Sequence, residues 1–338
     1  MIARRALCAS HFLPLALAAC APVQPPAAPP PQPQALRVIV FAGGFNWPIW
    51  AAQSRGFFAR HGVAVTTTDT PNSTFQLTGL ARGDFDLAMT AIDNVIAYRE
   101  GQGAPGVDGS DLVAVMGGDS GFLKLVAQPE IATVADLRGK DVSVDSLTTG
   151  YAFVLLEILA RNGLVLDRDY RTVPAGGVLQ RHQQLLEGQH AATMLITPFD
   201  VLAQARGKRV LADASAALGS YQGLVAGVRR SWADRNPGAV TGYIRGYRDA
   251  LDWLYEPANK AAALELFLRN VPNATPESAA QAYDILLHPA TGFQRQAALD
   301  EAGTRTVVRL RETYGRPAKA LQPVSAYYEP RYYDAARR

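Results

Sequence analysis

The chain has 338 residues, 48% of them hydrophobic and 19% charged, with a formal net charge of +3. That profile excludes a disordered or collagen-like chain, and a small net charge with no basic run along a face excludes a nucleic-acid footprint. The two cysteines, Cys8 and Cys20, both fall near the N-terminus, so the body offers no disulfide framework, thiolate nucleophile or cysteine-ligated metal.

In chain order, Arg4 and Arg5 precede an apolar run that ends in Leu17-Ala18-Ala19-Cys20. A short basic segment, a short apolar segment and small residues at its end describe an export signal. The run is too short to span a bilayer. Its last four residues resemble the lipobox of bacterial lipoproteins, in which the cysteine becomes the lipidated first residue. Residues 1–19 are therefore expected as signal peptide and Cys20 as the lipidation site. Removing Arg4 and Arg5 leaves a net charge of 3 − 2 = +1. Residues 20–35 form a proline-rich tether, extended and unable to bury a core.

From Leu36 onward strand and helix patterns alternate. Strands are expected at 36–41, 63–68, 85–89, 113–116, 124–127, 142–144, 192–196 and 224–228, all read from the sequence. Helices are expected at 48–60, from Asn72 or Ser73 through Ala81, at 150–161 and at 178–187. Pro48 suits a first helical turn, and Gly62, Gly83 and Asn162-Gly163 suit helix ends. After Trp232 the pattern is helical throughout, at 237–255, 261–268, 276–286 and 294–314. Alternation of this kind predicts an α/β fold with parallel sheets and a helical C-terminal part.

Five segments together carry a family resemblance. They are Gly56-Phe57-Phe58 followed by Gly62-Val63, Leu80-Ala81-Arg82-Gly83-Asp84-Phe85-Asp86-Leu87-Ala88, and Asp136-Leu137-Arg138-Gly139-Lys140-Asp141-Val142. Leu185-Leu186-Glu187-Gly188 with Ala191-Ala192, and Arg230-Ser231-Trp232 leading to Asn236-Pro237, complete the set. In this order they resemble the nitrate/sulfonate/taurine-type substrate-binding components of ABC importers, a group that includes binders of thiamin-pyrimidine precursors. The resemblance runs from about Leu36 to Trp253. It departs at Ala191, where the repeated motif has an aspartate.

The resemblance implies a type II periplasmic-binding-protein fold, two α/β lobes joined by two crossing strands with a ligand cleft between them. Lobe one is expected at 36–123 and 224–338, and lobe two at 124–223. The implied function is capture of a small organic solute (a sulfonate, carboxylate or pyrimidine) for an ABC permease and, indirectly, its ATPase. The implied setting is periplasmic or cell-surface, with a lipid-anchored monomer and neither cofactor nor metal. A membrane-anchored sensor or scaffold of the same fold is the alternative. The related thiamin-pyrimidine synthases use a cysteine-rich motif that this body lacks, and no catalytic residues are assigned.

In open α/β sheets ligands sit beyond the carboxyl ends of strands, where helix N-termini offer free N–H groups. The loops there nominate Asn46 and Trp47, then Asn72, Thr90, Thr148, Thr149, Gly150, Thr197 and Asp200. Asn72 is equally a helix cap, and Trp47 is equally a core residue. Asp93, Asp119, Asp145, Ser120 and Tyr221 lie in or beside the same loops. If several of these acids enter the cleft, a cationic or hydroxyl-rich ligand is favoured over an anion. No arginine is evidently placed to clamp an anion. His182 and His190 read as surface residues.

Overall fold

Buried strands alternate with covering helices through most of the chain. The computed structural model describes residues 32–119 and 121–338, so the signal, Cys20, the tether through residue 31 and Ser120 lie outside the described residues. First come β1 (Gln34–Val40), α1 (Trp47–Ser54), α2 (Phe57–Arg60), β2 (Val63–Asp69), α3 (Ser73–Arg82), β3 (Leu87–Ala91), α4 (Ile92–Arg99) and β4 (Leu112–Gly117). A second group follows: β5 (Leu123–Ala127), β6 (Asp141–Val144), α5 (Gly150–Arg161), β7 (Arg171–Pro174), α6 (Val178–Leu186), β8 (Ala192–Ile196), α7 (Phe199–Ala205), β9 (Arg209–Asp213) and α8 (Ala214–Leu218). The chain closes with β10 (Leu224–Arg229), α9 (Arg230–Arg235), α10 (Pro237–Tyr255), α11 (Lys260–Asn270), α12 (Pro276–Leu286), α13 (Glu301–Tyr314) and α14 (Pro330–Arg337).

The strands form two five-stranded sheets, ordered β2-β1-β3-β10-β4 and β7-β6-β8-β5-β9. Both follow one plan. β1 pairs in parallel with β2 and β3, while β10 runs antiparallel between β3 and β4. In the second sheet β6 pairs in parallel with β7 and β8, while β5 runs antiparallel between β8 and β9. The sheets are parallel as expected except at these two strands. β5 follows β4 of the first sheet, and β10 follows β9 of the second sheet and the short α8 after it; each runs against its new neighbours. The two sheets thus share one strand plan, each with a single antiparallel strand next to its edge.

Local differences from the sequence reading have local causes. The helix expected over 48–60 breaks into α1 and α2 at Gly56, whose φ of 69° only glycine adopts freely. The helix expected from 294 begins at Glu301, because 294–300 takes an irregular path whose backbone bonds Gly118 and Gly117 beside β4. β7 and β9 went unread. They are edge strands, short and largely unburied, with no alternating apolar pattern to mark them.

Among the described residues no helix is long and apolar enough to cross a membrane. Nor does any group of three or more His, Cys, Asp or Glu among them form a site that could hold a metal ion.

Candidate functional site

The carboxyl ends of β1, β3, β6 and β8 meet at a cavity of about 50 Å3. Phe41, Phe45, Val178, Ile196 and Leu224 make its apolar wall. Its polar surface comes from Thr90, Asn94, Asp119, Asp145, Thr149, Gly150, Tyr151 and Arg181. Strand ends supply Thr90 and Asp145, the first turn of α5 supplies Gly150 and Tyr151, and α6 supplies Arg181.

Arg181 is the residue that sequence reasoning missed. Its side chain is buried, and among the described residues no carboxylate stands within ion-pair distance. Nη1 donates to the Gly176 carbonyl at 2.7 Å and Nη2 to the Met194 carbonyl at 3.2 Å, while Nε has no partner. Burial pulls its pKa below the usual arginine value, against an opposing pull from Asp145. A guanidinium remains charged in any protein setting. A signal was present: Val178, Arg181, His182 and Leu185 fall at helical spacing on one face, and all four are buried. An arginine on an apolar stripe is aimed inward.

The acids divide by role. Asp119 Oδ1 accepts from the Gly121 and Gly223 amides at 2.8 and 3.2 Å, and Oδ2 from the Leu224 amide at 3.1 Å. It therefore stitches the two passages between the sheets together. Burial raises its carboxyl to about 6, against the pull of those three amides. Asp145 Oδ1 is buried with no partner. Asp93 forms a buried ion pair with Arg311, which donates from Nε to Asp93 Oδ1 at 2.7 Å.

Of the residues nominated from sequence, Thr90, Thr149 and Gly150 line the cavity. Thr90 Oγ1 accepts from Asn94 Nδ2 at 2.9 Å, and Thr149 Oγ1 donates to the Ser146 carbonyl at 3.1 Å. The other nominated residues do not line this cavity. Trp47 is fully buried against Phe267 and Tyr283, with ring centroids 4.6 and 5.9 Å away. Asn46 donates to the Phe41 carbonyl at 2.6 Å, and Asn72 caps α3 by accepting from the Phe75 amide at 2.8 Å. Thr148 is exposed, with its hydroxyl 3.1 Å from Ser146 Oγ. Thr197 and Asp200, which follow β8, are buried, and Asp200 pairs with Lys124 of β5 at 3.4 Å.

A larger groove of about 770 Å3 is lined from the first turn by Gly43 and Asn46 and from α6 by Leu179, His182 and Gln183. The surface reading of His182 and His190 is corrected, since both are buried. Burial, with Arg206 adding to it, lowers His182 to about 4. Between about pH 6.5 and pH 4 the unfolded chain binds a proton on this ring while the folded chain resists it. Stability that is present above pH 6.5 is therefore lost as the pH falls through this window. His182→Phe should lose ~1–2 kcal/mol less than the parent chain over that range. Urea denaturation at both ends checks this, and identical pH slopes would clear the ring of responsibility.

The family model described as NMT1/THI5 like matches residues 46–261 of the chain, more than half of its length. No curated protein matches it in sequence. Solved structures do match in fold. One is the periplasmic nitrate-binding protein NrtA from Synechocystis PCC 6803, at 13% identity and a TM-score of 0.77, covering 90% of this chain and 89% of that one. Another is the ligand-binding component of an ABC-type import system from Staphylococcus aureus with zinc bound, at 11% identity, TM-score 0.72, with coverage of 90% and 99%. A third is the alkanesulfonate-binding protein SsuA from Xanthomonas axonopodis pv. citri bound to MOPS, at 20% identity, TM-score 0.70, with coverage of 88% and 99%. At these identities the likeness speaks for the fold alone, and that fold is the periplasmic-binding-protein fold expected from the sequence.

Proposed function

We propose, from the premise that this chain belongs to the NMT1/THI5-like family, that it is an extracytoplasmic solute-binding protein serving an ABC importer. It captures a small organic molecule between two lobes, residues 36–123 with 224–338 and residues 124–223, and presents the closed form to the permease. Binding by hinge closure requires no catalysis. Cys20 carries a lipid that tethers the monomer to a membrane through the proline-rich segment.

The observation that carries this reading is Arg181. A buried guanidinium with no carboxylate partner is costly, and a bound oxyanion compensates it with a charge-assisted hydrogen bond. The names of two similar structures, a nitrate-binding and an alkanesulfonate-binding protein, support an oxyanion. Asp145 Oδ1, the unpartnered acceptor in the same cavity, calls for an N–H or O–H on the same solute. The ligand is then a compact organic oxyanion that also carries a hydrogen-bond donor, seated on the start of α5.

Native mass spectrometry of the chain purified gently from a bacterial periplasm tests this. An added small mass that is lost on denaturation and matches an oxyanion is the expected result. A bare protein that also binds no sulfonate, carboxylate or pyrimidine by calorimetry would overturn the solute-binding reading.

A further inference from the structure

Beyond the residues matched by the family model lies α13, which packs on α4 and on α5. Arg311 on α13 is fully buried. Toward α4 it holds Asp93 through Nε and Nη2, and its Nη1 donates to Gln102 Oε1 at 3.1 Å. Toward α5 its Nη2 donates to the Thr148 carbonyl at 2.7 Å, and the guanidinium lies 4.8 Å over the Phe153 ring. One side chain thus binds the helix after β3 and the loop that presents Thr149 and Gly150 to the cavity.

The backbone shows how closely those two parts meet. A Cβ on Gly150 would lie 2.5 Å from Asp93 Cβ and Cγ, a distance that glycine alone permits. A second tie lies farther along α13, where Tyr314 donates to Glu157 Oε2 at 2.8 Å and Arg309 stands 3.6 Å from Glu157.

We infer that Arg311 is a positioning residue that draws the ligand-cradling start of α5 onto α4 and so helps hold the two lobes closed. The inference rests on the two-lobe reading above. Asp93, Gln102 and Arg311 belong to lobe one, whereas Thr148 and Phe153 belong to lobe two. Opening separates the guanidinium from the Thr148 carbonyl and the Phe153 face while leaving its bond to Asp93 intact. Closure supplies the acceptor and the ring that complete its shell. Only a planar fork serves both partners at once, and a lysine ammonium keeps the charge for Asp93 without that geometry.

The test compares the full chain with Arg311→Lys and Phe153→Leu by small-angle X-ray scattering and amide hydrogen exchange, without ligand and with methanesulfonate as the probe. Both variants should scatter as a more open particle than the parent. Amides 149–153 should exchange about tenfold faster while those of α10 stay protected. With the probe, dissociation should quicken while association holds. Arg311→Lys that loses α10 protection is a folding failure, and Phe153→Leu, which removes the ring beneath the guanidinium while leaving Arg311 paired with Asp93, then decides alone. Scattering unchanged from the parent in a folded variant overturns the inference. Failure of methanesulfonate to bind the parent chain counts against the oxyanion reading, and the ligand-free arm still decides the role of Arg311.

Discussion

Asp93→Ala is expected to cost the folded chain about 3–5 kcal/mol, because it strands a buried arginine. The two side chains are 0% and 1% exposed, with Arg311 Nε donating to Asp93 Oδ1 at 2.7 Å. Without Asp93 the guanidinium retains two neutral acceptors, Gln102 Oε1 and the Thr148 carbonyl, and neither offsets a full charge. The double variant Asp93→Ala with Arg311→Met should recover most of the loss, because no charge is then left in the interior. Urea denaturation of the four members of this cycle measures the coupling. A loss below about 1 kcal/mol in the single variant would show that water reaches the pair.

Arg181→Met should weaken binding of the solute identified by mass spectrometry by about 30-fold or more, since truncating a buried charged partner costs about 2–5 kcal/mol. The effect on the ligand-free protein should be small, within about 1 kcal/mol. Removing a poorly compensated buried charge is favourable, and the Gly176 and Met194 carbonyls that lose their donor offset that gain. Calorimetry together with thermal unfolding separates the two effects. An arginine kept for structure would show the opposite pattern, with stability lost and affinity retained.

Much of the architecture was legible because its signals are local. The strand runs at 36–41 and 192–196 are apolar apart from Arg37 and Thr193, close to the continuous runs of strands buried on both faces. Asn72 and Pro237 mark helix starts within a residue or two of where α3 and α10 begin. The site was legible in outline. Placing candidates after strand ends put Thr90, Thr149 and Gly150 on the cavity wall. The same rule misdirected attention to Trp47, whose apolar surface is met by Phe267 and Tyr283 from helices more than 200 residues away in sequence. No pattern near Trp47 announces those partners.

The sequence by itself determined the α/β class, most element positions and the family, because periodicity, caps and motif order are written within a few residues of one another. It also located the cavity loops, since these follow from strand ends. Tertiary structure alone decided the antiparallel courses of β5 and β10, the inward aim of Arg181 and the partnership of Asp93 with Arg311 across 218 residues. Those outcomes depend on which burial and which charge pairing the whole chain can satisfy at once. A charged residue's partner is chosen by the packing of distant elements, and nothing in its own neighbourhood encodes that choice.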